Sequence, residues 1–147
     1  MEVATAVALG TSALSAKASY EKGKAEQRGY DLQAEQADLR GRSEALGFKQ
    51  KGADALGRLN ETLAAIISRA AAGGVDATSG SAATMQQFAM GQGVDEFNIA
   101  ADNAAMAIGQ ASEQAYIYKS AGETAKYRGK VEAITTLGEA AYTAGQL

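Results

Sequence analysis

Small and apolar residues recur in steps of three and four along the second half of the chain. The steps begin at Val94 and continue for about four and a half heptads, which is the spacing of a coiled-coil seam. Alanine and glycine fill many of these positions, so we expect helices that approach closely and bury little area per residue. The predicted helix-packing seam consists of Val94, Phe97, Ala101, Ala104, Ile108, Ala111, Ala115, Tyr118, Gly122 and Ala125.

A second apolar stripe runs along the same predicted helix, from Ile99 and Met106 to Tyr116 and Ile117. A helix with two apolar faces needs a neighbour on each of them. We therefore expect an assembly of several helices rather than a closed two-helix object.

The first half of the chain intersperses opposite charges between Lys17 and Lys51, as a helix exposed on most of its circumference does. Leucine recurs there every seven residues, at positions 32, 39 and 46. Several glycines interrupt the pattern, and each costs about 1 kcal/mol relative to alanine inside a helix. Close backbone packing would offset this cost, and a helix that unfolds easily is the alternative interpretation. These glycines are Gly23, Gly29, Gly41, Gly47, Gly52 and Gly57.

The densest cluster of turn-forming residues lies at 73–81 and separates the two halves. We expect Gly73 or Gly74 to end the first helix in a left-handed conformation, which glycine adopts without steric cost. Either Ser79 or Ser81 is placed to cap the next helix. The cluster is not a phosphate-binding loop, because no Lys-Ser or Lys-Thr pair follows the glycines and no predicted strand precedes them. The predicted turn residues are Gly73, Gly74, Asp76, Ser79, Gly80 and Ser81.

No proline occurs in the 147 residues, whereas a usage of about 5% would supply roughly seven. Proline is the strongest helix breaker, so its absence leaves the helical pattern without this kind of interruption. The sequence therefore predicts an all-α fold, an extended antiparallel helical hairpin of two long helices with coiled-coil-like packing in an oligomeric ring or tube. We expect a single elongated helical unit. Its segments are a small-residue apolar start at residues 1–16, a first arm at 17–72, the turn at 73–81 and a second arm at 82–147.

The hydrophobic content of the chain is 46%, but alanine supplies 34 of those residues. Leucine, isoleucine, valine and phenylalanine together number 24, a share below the roughly 20% at which an ordinary core becomes doubtful. Most of the stability of a helix in a protein comes from the face that it buries. A lone hairpin of this composition would be poorly stabilised, so we expect a homo-oligomer.

Catalytic chemistry is not expected, because the chain has no cysteine and no histidine. Their absence removes the usual zinc ligands, the usual general base and the familiar nucleophilic dyads. The adjacent carboxylates Asp95 and Glu96 point in different directions on a helix and cannot share a proton. We therefore predict that the protein is not an enzyme and has no catalytic, metal or cofactor site.

Positive charge is missing from the middle of the chain, where no Lys or Arg occurs between Arg69 and Lys119. Acidic residues do occur there, which makes the stretch a poor candidate for binding a phosphate backbone. We do not expect sequence-specific nucleic-acid binding. A solvated acidic face is the simplest interpretation.

The segment from Val3 to Ala16 carries no charge and is rich in small side chains. It is shorter than the roughly twenty residues that a helix needs to cross a bilayer, and it lacks the basic leader of a secretory signal. One interpretation is a small-residue helix buried against its neighbours. The other is a segment that enters a membrane as part of an assembly. The candidate membrane residues are Val3, Val7, Leu9 and Leu14.

Several short motifs around and after the turn carry a resemblance to a known group of proteins. They are the run Ile-Ile-Ser-Arg-Ala-Ala-Ala-Gly-Gly at 66–74, Val-Asp at 75–76, Ser-Gly-Ser at 79–81, Asn-Ala-Ala at 103–105 and Gln-Ala-Tyr at 114–116. With them, the chain resembles the small internal virion, or DNA-ejection, proteins of short-tailed bacteriophages. The apolar start and the charged, Gln-containing first arm fit the same pattern.

The resemblance implies a protein packaged in the capsid near the portal and organised as a ring or tube. It implies contacts with the portal and with other internal or tail proteins of the virion. It also implies release into the host envelope ahead of the genome, where the protein would meet the host membrane and help to build a conduit. The group has no catalytic residues to carry over.

Two other functions fit the same residue pattern. One is a permanent head-tail or tail component that never leaves the particle. The other is a secreted helical-hairpin effector that acts on membranes.

Overall fold

The computed structural model describes residues 2–144, with side chains described for residues 12–143. This part of the chain contains two long helices and no strand. Helix α1 spans Glu2–Ala72, and helix α2 spans Gly80–Ala144. The two helices pack against each other as a hairpin, which confirms the predicted all-α helical hairpin.

The helix boundaries lie close to the predicted ones. Helix α1 ends at Ala72, the last residue predicted for the first arm. Helix α2 begins at Gly80, two residues before the predicted start of the second arm. The carbonyl of Ser79 accepts a hydrogen bond from the amide of Ala83, so the helical ladder begins directly after Ser79, the first of the two predicted capping residues.

Glycine ends helix α1 in the predicted manner. Gly74 has a φ of 66°, the left-handed conformation that side chains disfavour. The amide of Val75 donates to the carbonyl of Ala70, and the amide of Gly74 donates to the carbonyl of Ala71. These two hydrogen bonds form a Schellman motif, which satisfies carbonyls that the end of a helix leaves without partners.

Asp76 organises the connection that follows. Its Oδ1 accepts hydrogen bonds from the amide of Thr78 at 2.9 Å and from the hydroxyl of Thr78 at 2.7 Å. The side-chain amide of Gln86 reaches back from α2 and donates to the carbonyl of Ala77 at 2.7 Å. The connection is therefore held by side chains on both of its ends rather than by its backbone alone.

The residue contacts of the chain fall into two compact units. The terminal unit comprises Met1–Asp38 and Ser112–Leu147, and the turn unit comprises Leu39–Ala111. Each unit contains one stretch of α1 and one stretch of α2. The organisation of the whole chain as a single elongated unit stays a prediction.

Alanine forms the core of both units. In the terminal unit, Ala34, Ala37 and Ala115 form a buried cluster against which Tyr118 packs. In the turn unit, Ala45, Ala104 and Ala107 do the same, and Phe48 packs against them. Among the described residues no large side chain is fully buried. Burial of one methyl-sized group contributes about 0.8 kcal/mol, so this core stabilises the hairpin much less than a leucine-rich one would.

Candidate interaction surfaces

The inner seam is the line along which α1 and α2 touch. In the terminal unit, Gly23 lies against Gly129, and Gly122 lies against Gln27 and Tyr30. A methyl group on Gly23 would lie 2.9 Å from both the Cα of Gly129 and the carbonyl oxygen of Ala125. Such a contact is shorter than real side chains make. Glycine is therefore required here for the two backbones to approach each other.

The turn unit has an inner seam of the same kind. A methyl group on Gly41 would clash with the Cβ of Ala111 and would lie 2.9 Å from the carbonyl oxygen of Ala107. Gly52 faces Ala100 and the ring of Phe97, and Gly93 faces the side chain of Leu59. The predicted reason for glycines in α1, close backbone packing, thus applies to Gly41 and Gly52.

Other glycines of α1 have no such contact. A methyl group on Gly29, Gly47 or Gly57 would meet nothing within 4 Å. The glycines of the first arm cannot be told apart in the sequence. The structure shows which of them are packed closely against α2 and which have no atom nearby.

Residues of the inner seam recur every eighteen positions. Gly93, Ala111 and Gly129 share this spacing on α2, and their counterparts on α1 are Leu59, Gly41 and Gly23. Eighteen residues are five turns of a helix with 3.6 residues per turn. A heptad pattern assumes 3.5 residues per turn and drifts by about 20° per heptad from such a helix.

This drift explains where the predicted seam residues lie. Ala104, Ala111, Ala115, Gly122 and Ala125 are buried, and Tyr118 is half-buried. Before Ala111 the heptad steps leave the contact between the helices at every position except Ala104, and the seam passes through Gly93, Ala100 and Ala107 instead. The predicted positions that are exposed are Val94, Phe97, Ala101 and Ile108.

Packing of these exposed positions against another chain stays a prediction. Phe97 contributes to the hairpin despite its exposure, because its ring covers Gly52. The heptad pattern omits the seam residues Gly93, Ala100, Ala107 and Gly129. An eighteen-residue spacing does not by itself identify them, because Gly29 and Gly47 share it and have no close contact.

Large apolar side chains lie outside the inner seam in both units. The predicted second stripe is exposed at every residue, from 55% at Met106 to 72% at Tyr116. On α1, Leu39 and Leu46 are 59% and 60% exposed. Contiguous exposed apolar surface is typical of protein interaction sites, so these side chains are the candidate interaction surface.

An open groove runs beside the inner seam of the turn unit. Its volume is about 470 Å³, its floor is made by Gly52 and by alanines, and its walls include Phe97, Ile108 and Lys49. The groove lacks the convergent polar groups that fix a small ligand in a binding site.

The described residues contain little of the chemistry that a catalytic site requires. No cluster of three or more His, Cys, Asp or Glu residues that could hold a metal ion occurs among them. Hydrogen bonds from the amide and hydroxyl of Thr78 lower the pKa of Asp76 below its ordinary value. This shift belongs to the exposed turn described above. Arg58 and Glu96 form an exposed ion pair at 3.1 Å.

The candidate membrane residues fall mostly outside the described side chains. This applies to Val3, Val7 and Leu9, whereas Leu14 is described and is 69% exposed. Within the described part of the chain, neither helix has a stretch that is long and apolar enough to cross a membrane.

The structure defines the protein as a two-helix hairpin with an alanine and glycine seam. No protein-family model matches the chain, no curated protein is similar to it in sequence, and no solved structure is similar to it.

Proposed function

We propose that this protein is a homo-oligomeric structural component of a bacteriophage virion, of the internal or DNA-ejection kind. One observation carries the oligomeric part of the proposal. The core of the hairpin is built from alanine and glycine, while most of the large apolar side chains described in α1 and α2 are exposed. A chain that leaves its most hydrophobic residues in water gains more from partners than from its own core.

The phage part of the proposal rests on the sequence resemblance of residues 66–81 and of the two motifs in α2. It places the protein in the capsid interior near the portal, in contact with the portal and with other internal or tail proteins. After ejection the protein would reach the host cell envelope. No catalytic role is part of the proposal, since the chain has neither histidine nor cysteine.

The mechanism would be mechanical. Helices held by small side chains lose little burial when they separate, so they can change partners at low free-energy cost. In the particle they would be held by neighbouring copies, and during ejection they would rearrange into a conduit. The thin core is then a requirement of the function rather than a defect.

The stretch of α2 without cations has a place in this mechanism. If this stretch lines the lumen of a ring or tube, acidic residues such as Glu113 repel the DNA backbone and let the genome slide. Electron cryomicroscopy of the assembled protein tests this detail, because finding residues 76–113 on the outer wall would contradict it.

Infection by a phage that carries the gene tests the proposed function. We expect the protein in purified particles and its loss from the empty particles that remain on cells after ejection. Retention in those empty particles would identify a permanent head-tail or tail component instead. Absence from particles, together with leakage of liposomes caused by the purified monomer, would identify a secreted membrane-active effector.

A further inference from the structure

We infer that copies of this chain dock head to tail through the turn unit, with the outer face of α1 in one copy against the outer face of α2 in the next. The inference deepens the proposed function and rests on its homo-oligomeric part. The occupant of each surface is a second copy of the chain.

The outer face of α1 is a leucine stripe that points away from α2. Leu39 lies two residues before the seam residue Gly41, and Leu46 lies two residues before the half-buried Phe48. Two residues turn a helix by about 200°, so both leucines lie nearly opposite the inner seam. Both are more than half exposed, and within the turn unit no helix covers them.

The outer face of α2 contains glycines, with the exposed acidic residues Asp95 and Asp102 between them. Gly91 and Gly109 each lie two residues before a seam residue, Gly93 and Ala111 respectively, so they occupy the same side of the helix. A methyl group on either glycine would meet nothing within 4 Å. Met106, which is 55% exposed, stands beside Gly109.

Together these residues form a shallow surface that complements the leucine stripe. A helix glycine costs about 1 kcal/mol relative to alanine, and the inward glycines show how this chain offsets that cost, by close approach of a second helix. Gly91 and Gly109 have no such approach within the hairpin. Docked leucines from another copy would supply it.

The charges of the two helices favour contact between α1 of one copy and α2 of another. The α1 part of the turn unit carries six cations and three anions, and the α2 part carries anions and no cation. Contact between α1 and α2 of different copies therefore brings opposite charges together, whereas contact between two α1 or two α2 faces brings like charges together. The cations are Arg40, Arg42, Lys49, Lys51, Arg58 and Arg69, and the anions of the α2 part are Asp95, Glu96 and Asp102.

Docking of this kind is heterologous, because the two copies contribute different surfaces. After a contact forms, the pair of copies keeps one free α1 face and one free α2 face. Such contacts continue from copy to copy until they close into a ring, or they extend without closing. A ring or tube thus follows from the two faces and needs no further interface.

Charge reversal tests the inference with two double variants. The first, Asp95→Lys with Asp102→Lys, makes the outer faces of both helices positive, and the second, Arg40→Glu with Arg42→Glu, makes both negative. We expect each variant alone to assemble at least about tenfold more weakly than the native chain, by sedimentation at low salt. An equimolar mixture should recover assembly, because each α1 face then meets an α2 face of opposite charge.

The matched control is Glu123→Lys, an exposed charge reversal on α2 in the terminal unit, which should assemble as the native chain does. Circular dichroism confirms that each variant is as helical as the native chain. Contact between identical faces would leave one double variant assembling as well alone as the native chain does, which would overturn the inference.

Cysteine cross-linking provides a second test that does not depend on charge. The native chain has no cysteine, so Leu46→Cys and Met106→Cys each introduce a single thiol. We expect oxidation of the mixture to give the mixed disulfide dimer at several times the yield of either variant alone. Equal or higher yields of the two homodimers would contradict head-to-tail docking.

The outcomes separate this inference from the proposed function. A native chain that stays monomeric at every concentration would remove both the inference and the oligomeric part of the function. A native chain that assembles, while the charge variants assemble equally well alone, would remove only the inference.

Discussion

Gly23 and Gly129 bring the backbones of the two helices into direct contact, because a methyl group on Gly23 would lie 2.9 Å from the Cα of Gly129. The contact has a counterpart in the turn unit, where Gly41 meets Ala111. At both places the approach is limited by backbone atoms and by a methyl group, which have no rotamer to adjust. The stability of the hairpin should therefore respond sharply to single methyl groups at these positions.

Substitution Gly23→Ala should destabilise the hairpin by about 1 to 3 kcal/mol, the usual range for adding volume to a closely packed contact. The control is Gly29→Ala in the same helix, where a methyl group would meet nothing within 4 Å. There the better helix propensity of alanine should raise stability by about 1 kcal/mol. Urea unfolding followed by circular dichroism measures both. Equal stabilities for the two variants would show that the backbones do not meet at Gly23.

The eighteen-residue spacing of the seam makes a prediction about two adjacent residues of α2. Ala107 is buried in the seam, whereas Ile108 is 44% exposed although the heptad pattern assigns it to the seam. Ala107→Leu should destabilise the hairpin by about 1 to 3 kcal/mol through overpacking. Ile108→Ala should cost the monomer about 1 kcal/mol, because 44% of the side chain already lies in water. The reverse order in thermal unfolding would favour the heptad pattern.

The end of α1 depends on the conformation of Gly74. Its φ of 66° disfavours any residue with a Cβ, so Gly74→Ala should destabilise the hairpin by about 1 to 2 kcal/mol. Gly73→Ala is the matched control, since a methyl group there would make only ordinary contacts of 3.4 Å and longer. Its effect should stay within about 0.5 kcal/mol. Thermal unfolding of the two variants in parallel checks the difference.

The pKa of Asp76 should depend on the hydrogen bonds that its carboxylate accepts. Both bonds from Thr78 favour the charged carboxylate and hold the pKa below its ordinary value of 3.8. A lowered pKa in the folded state contributes stability that is present above the unfolded pKa and is lost as pH falls through the folded pKa. We therefore expect the turn to loosen only at acidic pH, near and below 3.8.

Thr78→Val isolates one of these bonds, because it removes the hydroxyl donor and keeps the amide donor. Its effect should be a rise in the pKa of Asp76 that stops short of the ordinary value, measured by NMR titration of the carboxyl carbon. Thr62→Val, which changes an exposed threonine on α1 whose hydroxyl donates to the carbonyl of Arg58, should leave the pKa of Asp76 unchanged. No rise in the first variant would contradict the role of the hydroxyl.

The sequence by itself determined the helices, the turn and the thinness of the core. Absence of proline and abundance of alanine act locally, on the preference of each residue for helix, so they can be read without knowing any contact. The left-handed glycine at the end of α1 is local in the same sense. Which of Gly73 and Gly74 adopts this conformation depends on the hydrogen bonds of the Schellman motif. In the structure it is Gly74.

Only the tertiary structure decided which small residues touch. Gly23 and Gly29 look alike in the sequence, yet one meets the opposite backbone and the other meets nothing within 4 Å. The rotation of each helix about its own axis decides which glycine faces the other helix. Contacts along the whole helix set this rotation together. A heptad and an eighteen-residue spacing differ by about 20° per heptad, too little to distinguish over a short stretch and enough to move Ile108 out of the seam over a long one.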